Sequence, residues 1–245
     1  MIDVYGMSSP NVVKITIMLE ELGLAYRQHH VNVFAKEQHH AEFLKISPNN
    51  KVPVIIDQAG PEDAPLAVFE SGAILIYLAE KTQRLLPASG SARAAVLEWL
   101  MVQLSSVGPM FGQLVHFTLH APAGNDYGLQ RFTGEVRRIL GVLERRLAES
   151  ACLGGAEYSI ADIATWPWIR TACTIYPWLT APADGAAALS AWPALEAWFA
   201  RIGARAAVAR GVASGERFLD ADRAAFKGAD ADAFDRFFNR GKYAR

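Results

Sequence analysis

Few groupings in this chain of 245 residues could do chemistry. His116 and His120 stand one helical turn apart and could hold a metal ion, but no HExxH pattern and no obvious third ligand accompany them. They read as cleft-lining residues, and no metal is expected. Cys152 and Cys173 are the only cysteines; with no CxxC they are too few for a metal framework and read as reduced structural thiols. Ser71, at the start of a helical pattern, is by itself an ordinary N-cap serine. Ser9-Pro10-Asn11 opens an earlier helix. Asn50-Lys51-Val52-Pro53 closes a cluster of turn formers ahead of a strand, where Pro53 alone reads as a trans proline beginning that strand. Tyr127 and Arg131 by themselves read as salt-bridged helix surface, and His39-His40 is exposed loop.

The elements that must position these groups change character along the chain. The first 82 residues alternate short β-rich runs with helical patterns. Ile2 to Tyr5 is a strand. A helix follows from Pro10 with Val12, Ile15, Ile17, Met18, Leu19 and Leu22 on its apolar face and Gly23 to end it. Further strands are expected at Tyr26 to Val33, Val52 to Asp57 and Leu66 to Phe69. A short helical piece falls at Glu42 to Lys45, and Glu70-Ser71-Gly72 opens a helix to about Lys81. The order is βαβ, then αββα.

From Ser91 onward only helical periodicity remains. Phe132, Val136, Ile139, Leu140, Leu143 and Leu147 form one buried stripe. Ser159-Ile160-Ala161-Asp162 is a capping-box start, with Tyr158 able to staple against Ile163, and leads into a buried helix through Trp166 and Trp168. Trp192-Pro193 to about Gly203 is a further amphipathic helix. The segment from Gly211 to the end carries Phe218, Phe226, Phe234, Phe237, Phe238 and Tyr243, too many aromatics for a solvated tail. Part of it must pack on the body or on a partner subunit.

Twenty-four basic against 25 acidic side chains leave a formal charge of −1, so no net field favours polyanions, and nucleic acid is not expected as a partner. No secretory leader pattern opens the chain, which is read as cytoplasmic. Trp99 to Asn125 lacks Asp, Glu, Lys and Arg, yet its Gln, Ser, His and Thr residues and the Gly108-Pro109 interruption favour a buried helix lining a cleft over a membrane span.

Taken together and in order, Ser9-Pro10-Asn11, Asn50-Lys51-Val52-Pro53, Phe69-Glu70-Ser71-Gly72-Ala73-Ile74 and Ser159-Ile160-Ala161-Asp162 resemble the glutathione-transferase superfamily over about residues 1 to 210. More narrowly, Ile2 to Tyr5, Ile46 to Lys51 and Leu153-Gly154-Gly155 with Tyr158 to Asp162 resemble its bacterial Nu class, which includes glutathione-dependent disulfide-bond reductases. The resemblance implies an α/β thioredoxin-like N-terminal domain at residues 1–85 and an all-α C-terminal domain at 91–212. A partly packed C-terminal extension at 213–245 completes a subunit expected to be a homodimer.

The resemblance also distributes roles. Glutathione, the cosubstrate, presents two carboxylates, an ammonium, two peptide units and a thiol. Val52-Pro53 stands where the family has a cis-proline that bares the Val52 N–H and C=O to the cysteinyl backbone. Ser71 would hold the γ-glutamyl carboxylate through its hydroxyl and N–H, and Glu70 the neighbouring ammonium. Lys51, with Gln38 nearby, would meet the glycyl carboxylate. The Asn11 amide and Ser9 hydroxyl would contact sulfur, with Ser standing where Thr is usual in the class; Tyr5, inside the first strand, is not a candidate. Tyr127 and Arg131, with His116 in the cleft, match positions near a second glutathione or the partner's site.

The activity implied is reduction of small disulfides by bound glutathione thiolate, without a protein-bound intermediate. Conjugation of glutathione to electrophiles in a cleft formed by Met101 to His120 is the alternative. A non-enzymatic regulatory protein of the same fold is a third reading. Asn11, Lys51, Glu70 and Ser71 weigh against it, because a pure scaffold has no need for all four.

Overall fold

The computed structural model describes residues 1–180 and 189–243. Its first part runs β1 (Ile2–Gly6), α1 (Pro10–Leu22), β2 (Tyr26–His30), α2 (Ala41–Ile46), β3 (Val54–Asp57), β4 (Leu66–Phe69) and α3 (Ser71–Thr82). The sheet order is β2-β1-β3-β4, with β1 parallel to β2 and antiparallel to β3, and β3 antiparallel to β4. This is the thioredoxin-like arrangement. Val4, Val54 and Ile55 of the two central strands are buried, as are Ile15, Ile17, Met18 and Leu19 of α1 and Ile74, Leu75 and Leu78 of α3. Gly23 ends α1 at φ 69°, and the Leu24 N–H reaches back to the Leu19 carbonyl at 3.0 Å, closing the helix in the left-handed turn that glycine favours.

Two strands are shorter than expected. β2 stops at His30, although the Val31 N–H still bonds the Gly6 carbonyl at 2.9 Å. β3 begins at Val54, after the proline that has no N–H to place in a ladder.

The remaining helices are α4 (Gly90–Val102), α5 (Gly108–Leu119), α6 (Asp126–Glu149), α7 (Ile160–Ile175), α8 (Pro177–Thr180), α9 (Pro193–Gly203), α10 (Ala206–Gly215), α11 (Leu219–Gly228) and α12 (Ala231–Phe237). α4 and α5 form one run of 30 residues, long and apolar enough to cross a bilayer, with 33% of its most apolar stretch buried. The expected buried, cleft-lining helix is therefore only partly buried, with Met101 and Leu119 exposed. Gly108-Pro109 does not interrupt the run either. A π-helical turn at Gln103–Val107 absorbs the proline, the Gly108 N–H bonding the Gln103 carbonyl five residues back.

The chain forms two compact units, Met1–Leu78 with Ala209–Arg245, and Ala79–Val208. In the second, Ser159 and Asp162 make the capping box at the start of α7. The buried Asp162 carboxylate also accepts the Leu153 N–H at 2.9 Å and the Trp198 indole N–H at 2.8 Å.

In the first unit, the C-terminal segment packs against the sheet domain. The Thr16 hydroxyl donates to the Gly211 carbonyl at 2.7 Å where α10 meets α1. Phe34 is ringed by Phe226, Phe234 and Phe237 at centroid distances of 5.6, 6.2 and 5.0 Å. The buried Asp222 carboxylate accepts the Ser8 N–H at 2.7 Å and lies 2.7 Å from His30 Nε2. A Cβ on Gly211 would stand 2.5 Å from the Cα of Ile17, with backbone as the obstacle. Gly211→Ala is therefore expected to lower stability by about 1–3 kcal/mol, read from urea unfolding.

Candidate functional site

The register Tyr5↔Val54↔Phe69 brings the end of β1, the start of β3 and the end of β4 to one edge of the sheet. From that edge the chain enters α1 through Ser9, whose hydroxyl accepts the Val12 N–H at 3.4 Å. Accepting leaves the hydroxyl proton to donate outward. Pro10 takes the first turn of α1, where a missing N–H removes no bond. Asn11 follows and lines a cleft of about 190 Å³ with Ser47, Asn49, Lys51, Val52, Pro53, Glu70 and Ser71. Ser9 is not among those lining residues.

The opposite wall is the turn before β3. Ser47, buried, donates its hydroxyl to the Lys51 carbonyl at 2.9 Å, while Asn50 takes a left-handed φ of 47°, which asparagine tolerates. The Val52-Pro53 peptide is cis. Among the described residues the Val52 N–H and C=O take part in no backbone hydrogen bond of the loop or of the sheet.

The third wall is the junction of β4 and α3. Glu70 adopts φ 68°, uncommon for a residue with a side chain, and its carboxylate accepts the Asn49 amide at 3.0 Å. This conformation turns the strand sharply into α3, whose first residue is Ser71. Beneath it lies a group that the sequence reading passed over. Lys14, only 1% exposed, donates from Nζ to the Ser71 hydroxyl at 3.1 Å. Burial pushes its ammonium down to about 7 despite the nearby Glu70 charge. The signal was a single lysine inside the apolar run of α1, three positions after Asn11 and so on the same face.

Gln38 lies apart from the cleft. It is buried, donates its amide to the Val33 carbonyl at 3.2 Å, and lines a second, polar cavity of about 100 Å³ that shares Lys51 with the first. Tyr5 stacks on His29 at 4.6 Å, outside the cleft lining.

The helical unit holds the other candidates. Tyr127 is 82% exposed in the first turn of α6, and Arg131 is exposed one turn on. His116 is half-buried, edge-on to Phe117 at 5.4 Å and 6.3 Å from the His120 ring. Among the described residues no group of three or more His, Cys, Asp or Glu side chains is placed to hold a metal ion. Cys152 is buried and Cys173 half-buried; burial raises both thiols, that of Cys173 to about 11.

Two helix starts, an extended edge beside a cis-proline, and fixed charges of both signs line one cleft. Residues 2–80 match the family described as glutathione S-transferase, N-terminal domain, and residues 126–201 match glutathione S-transferase, C-terminal domain. The chain belongs to the glutathione S-transferase family. It is 46% identical over 209 residues to the disulfide-bond oxidoreductase YfcG of Escherichia coli, covering 84% of this chain and 92% of that protein. To the disulfide-bond oxidoreductase YghU of the same organism it is 35% identical, over 86% of this chain and 73% of the relative. A crystal structure of a glutathione transferase family member from Pseudomonas fluorescens, with two glutathione bound, superposes with a TM-score of 0.80. That match is 42% identical and covers 86% of this chain and 92% of the other.

Lys14 yields a pH prediction. Its ordinary value is 10.5 and its folded value about 7, so between these limits the unfolded chain binds more protons and stability must rise with pH. Replacing the buried cation by an apolar chain of similar length removes that dependence. Lys14→Met is expected to stabilise the protein by about 1–3 kcal/mol near neutral pH and to flatten the rise toward pH 10.5 in urea midpoints measured across the range.

Proposed function

We infer that the protein is a glutathione-dependent enzyme that reduces disulfides by thiol–disulfide exchange. The observation carrying this reading is the shared cleft itself, which Asn11, Val52 beside the cis-proline and the Glu70-Ser71 helix start all line. The γ-glutamyl carboxylate meets the Ser71 hydroxyl and N–H, with the α3 dipole and Lys14 behind them; the ammonium meets Glu70. The cysteinyl unit pairs with Val52. Its sulfur then faces the start of α1, where the Asn11 amide and Ser9 hydroxyl stabilise the thiolate.

The reaction balances without a protein thiol. Bound glutathione thiolate attacks one sulfur of the substrate disulfide, forming a mixed disulfide and releasing one substrate thiolate, which takes up a proton. A second glutathione thiolate attacks the mixed disulfide, giving oxidised glutathione and the second substrate thiol. The similarity to two disulfide-bond oxidoreductases, and to a structure holding two glutathione molecules, supports this sequence of steps. Tyr127, Arg131 and His116 are the candidates for contacting the second glutathione. We place the enzyme in the cytoplasm as a homodimer; the long uncharged α4–α5 run, only partly buried, supports a partner covering it.

The test is steady-state reduction of 2-hydroxyethyl disulfide by glutathione, beside conjugation of a chlorodinitrobenzene. Asn11→Ala is expected to lower kcat/KM for the disulfide by about 10- to 100-fold, the loss of one hydrogen bond to a developing anion. Cys152→Ser and Cys173→Ser are expected to retain turnover. Abolished turnover in either serine variant, or conjugation outrunning disulfide reduction in the parent protein, would overturn the assignment.

A further inference from the structure

The match to the glutathione S-transferase C-terminal domain ends at residue 201, and α11 lies beyond it. One residue of α11 nevertheless reaches the approach to the candidate site. Asp222 is 6% exposed; its Oδ2 accepts the Ser8 N–H and its Oδ1 lies against His30 Nε2, both at 2.7 Å. Phe218, just ahead of α11, packs its ring on His30 at 4.8 Å, and its carbonyl accepts the Asp222 N–H at 2.9 Å. The carboxylate is thus fixed from the end of β2 before it meets the loop between β1 and α1.

That loop is short of other anchors. β1 ends at Gly6, whose carbonyl takes the Val31 N–H, and α1 is opened by Ser9, whose carbonyl takes the Val12 and Val13 N–H groups. Between them, among the described residues, the bond to Asp222 is the one hydrogen bond made by the Met7–Ser8 backbone. The Ser8 N–H stands one residue before the Ser9 cap and three before Asn11, so where it is held sets how the start of α1 presents both side chains. A buried carboxylate is costly to desolvate, and apolar packing already ties down the C-terminal segment, through Phe226, Phe234 and Phe237 around Phe34. What an apolar residue cannot do is hold a backbone N–H at one point.

We propose that Asp222 is a positioning residue for disulfide reduction, holding the loop between β1 and α1 so that the Ser9 hydroxyl and Asn11 amide stand at the glutathione sulfur. The proposal rests on the glutathione reading above and adds to it a residue of the C-terminal segment. Hydrogen bonds weaken steeply with misplacement, and a donor displaced by about 1 Å no longer stabilises a thiolate. Val52, Glu70 and Ser71, which hold the rest of glutathione in that reading, belong to other walls of the cleft. The loss therefore falls on thiol ionisation and kcat, and binding is spared.

The experiment compares Asp222→Ala, Asp222→Asn and Asp222→Glu with the parent in the full chain, by steady-state reduction of 2-hydroxyethyl disulfide and by the thiol pKa of bound glutathione, read from its ultraviolet thiolate absorbance. Asp222→Ala is expected to lower kcat about tenfold with KM for glutathione unchanged, and to move the thiol pKa up toward the free value of about 8.5. Asp222→Asn keeps an acceptor for the Ser8 N–H and can offer its amide to a neutral His30, so it is expected to retain most of both. Asp222→Glu, whose extra methylene displaces the acceptor, is expected to show the alanine changes in smaller measure and provides the reading if the alanine variant does not fold by near-ultraviolet circular dichroism. Parental kcat and thiol pKa in a folded alanine or glutamate variant, a loss confined to KM, or an asparagine variant as impaired as these overturns the role of Asp222 and leaves the glutathione site standing. A parent that neither binds glutathione nor reduces the disulfide overturns both.

Discussion

The cleft depends on holding two helix starts beside one another, and the buried bond from Lys14 to Ser71 does this. Helix starts carry unpaired N–H groups and a partial positive charge, so bringing two together around a ligand leaves donors that only an anion or a polar ligand can satisfy. A lysine buried beneath them adds to the same positive field, at a cost that burial makes visible in its lowered proton affinity. Glu70 offsets part of that cost and is itself held by Asn49 in a left-handed conformation. The candidate site is thus a strained, charged arrangement that, in the proposed function, glutathione's own carboxylate and ammonium relieve. Stability is given up where binding is gained.

The rigidity required comes from both ends of the chain. Asp222, far along the sequence, fixes the Ser8 N–H immediately before the Ser9-Pro10-Asn11 start and pairs with His30 at the end of β2. Phe34, in the segment between β2 and α2, is gripped by three phenylalanines of α11 and α12. The C-terminal segment therefore braces two of the loops that carry candidate site residues, Ser9 and Gln38. An active-site loop with few buried contacts of its own would otherwise be among the first parts of a structure to open.

Much of this was legible in the sequence because local rules and the fold agree. The Gly23 stop, the β4–α3 junction and the Ser159–Asp162 box each follow from short-range chemistry: a left-handed cap, a helix start after a strand, a reciprocal pair of hydrogen bonds. Lys14 escaped because periodicity treats a lysine in an apolar run as a surface residue near its edge; only the structure shows that Ser71 waits for it. Pro109 misled in the opposite direction, since a π-turn lets a helix pass a proline that an α-helical count would end.

The absence of a cysteine at the start of α1 defines the chemistry as much as any residue present. A protein cysteine there would form the mixed disulfide itself and then have to be resolved; here the attacking sulfur arrives with the substrate and leaves with the product. The protein's task reduces to raising the thiolate fraction of a thiol whose free pKa is about 8.5, for which neutral donors suffice. A full positive charge at the sulfur would lower that pKa further but would also weaken the nucleophile, since thiolate reactivity falls as basicity falls. In the proposed site the Asn11 amide and Ser9 hydroxyl, at a helix N-terminus, are a moderate field. They fit an enzyme whose thiol must be both ionised and reactive near neutral pH.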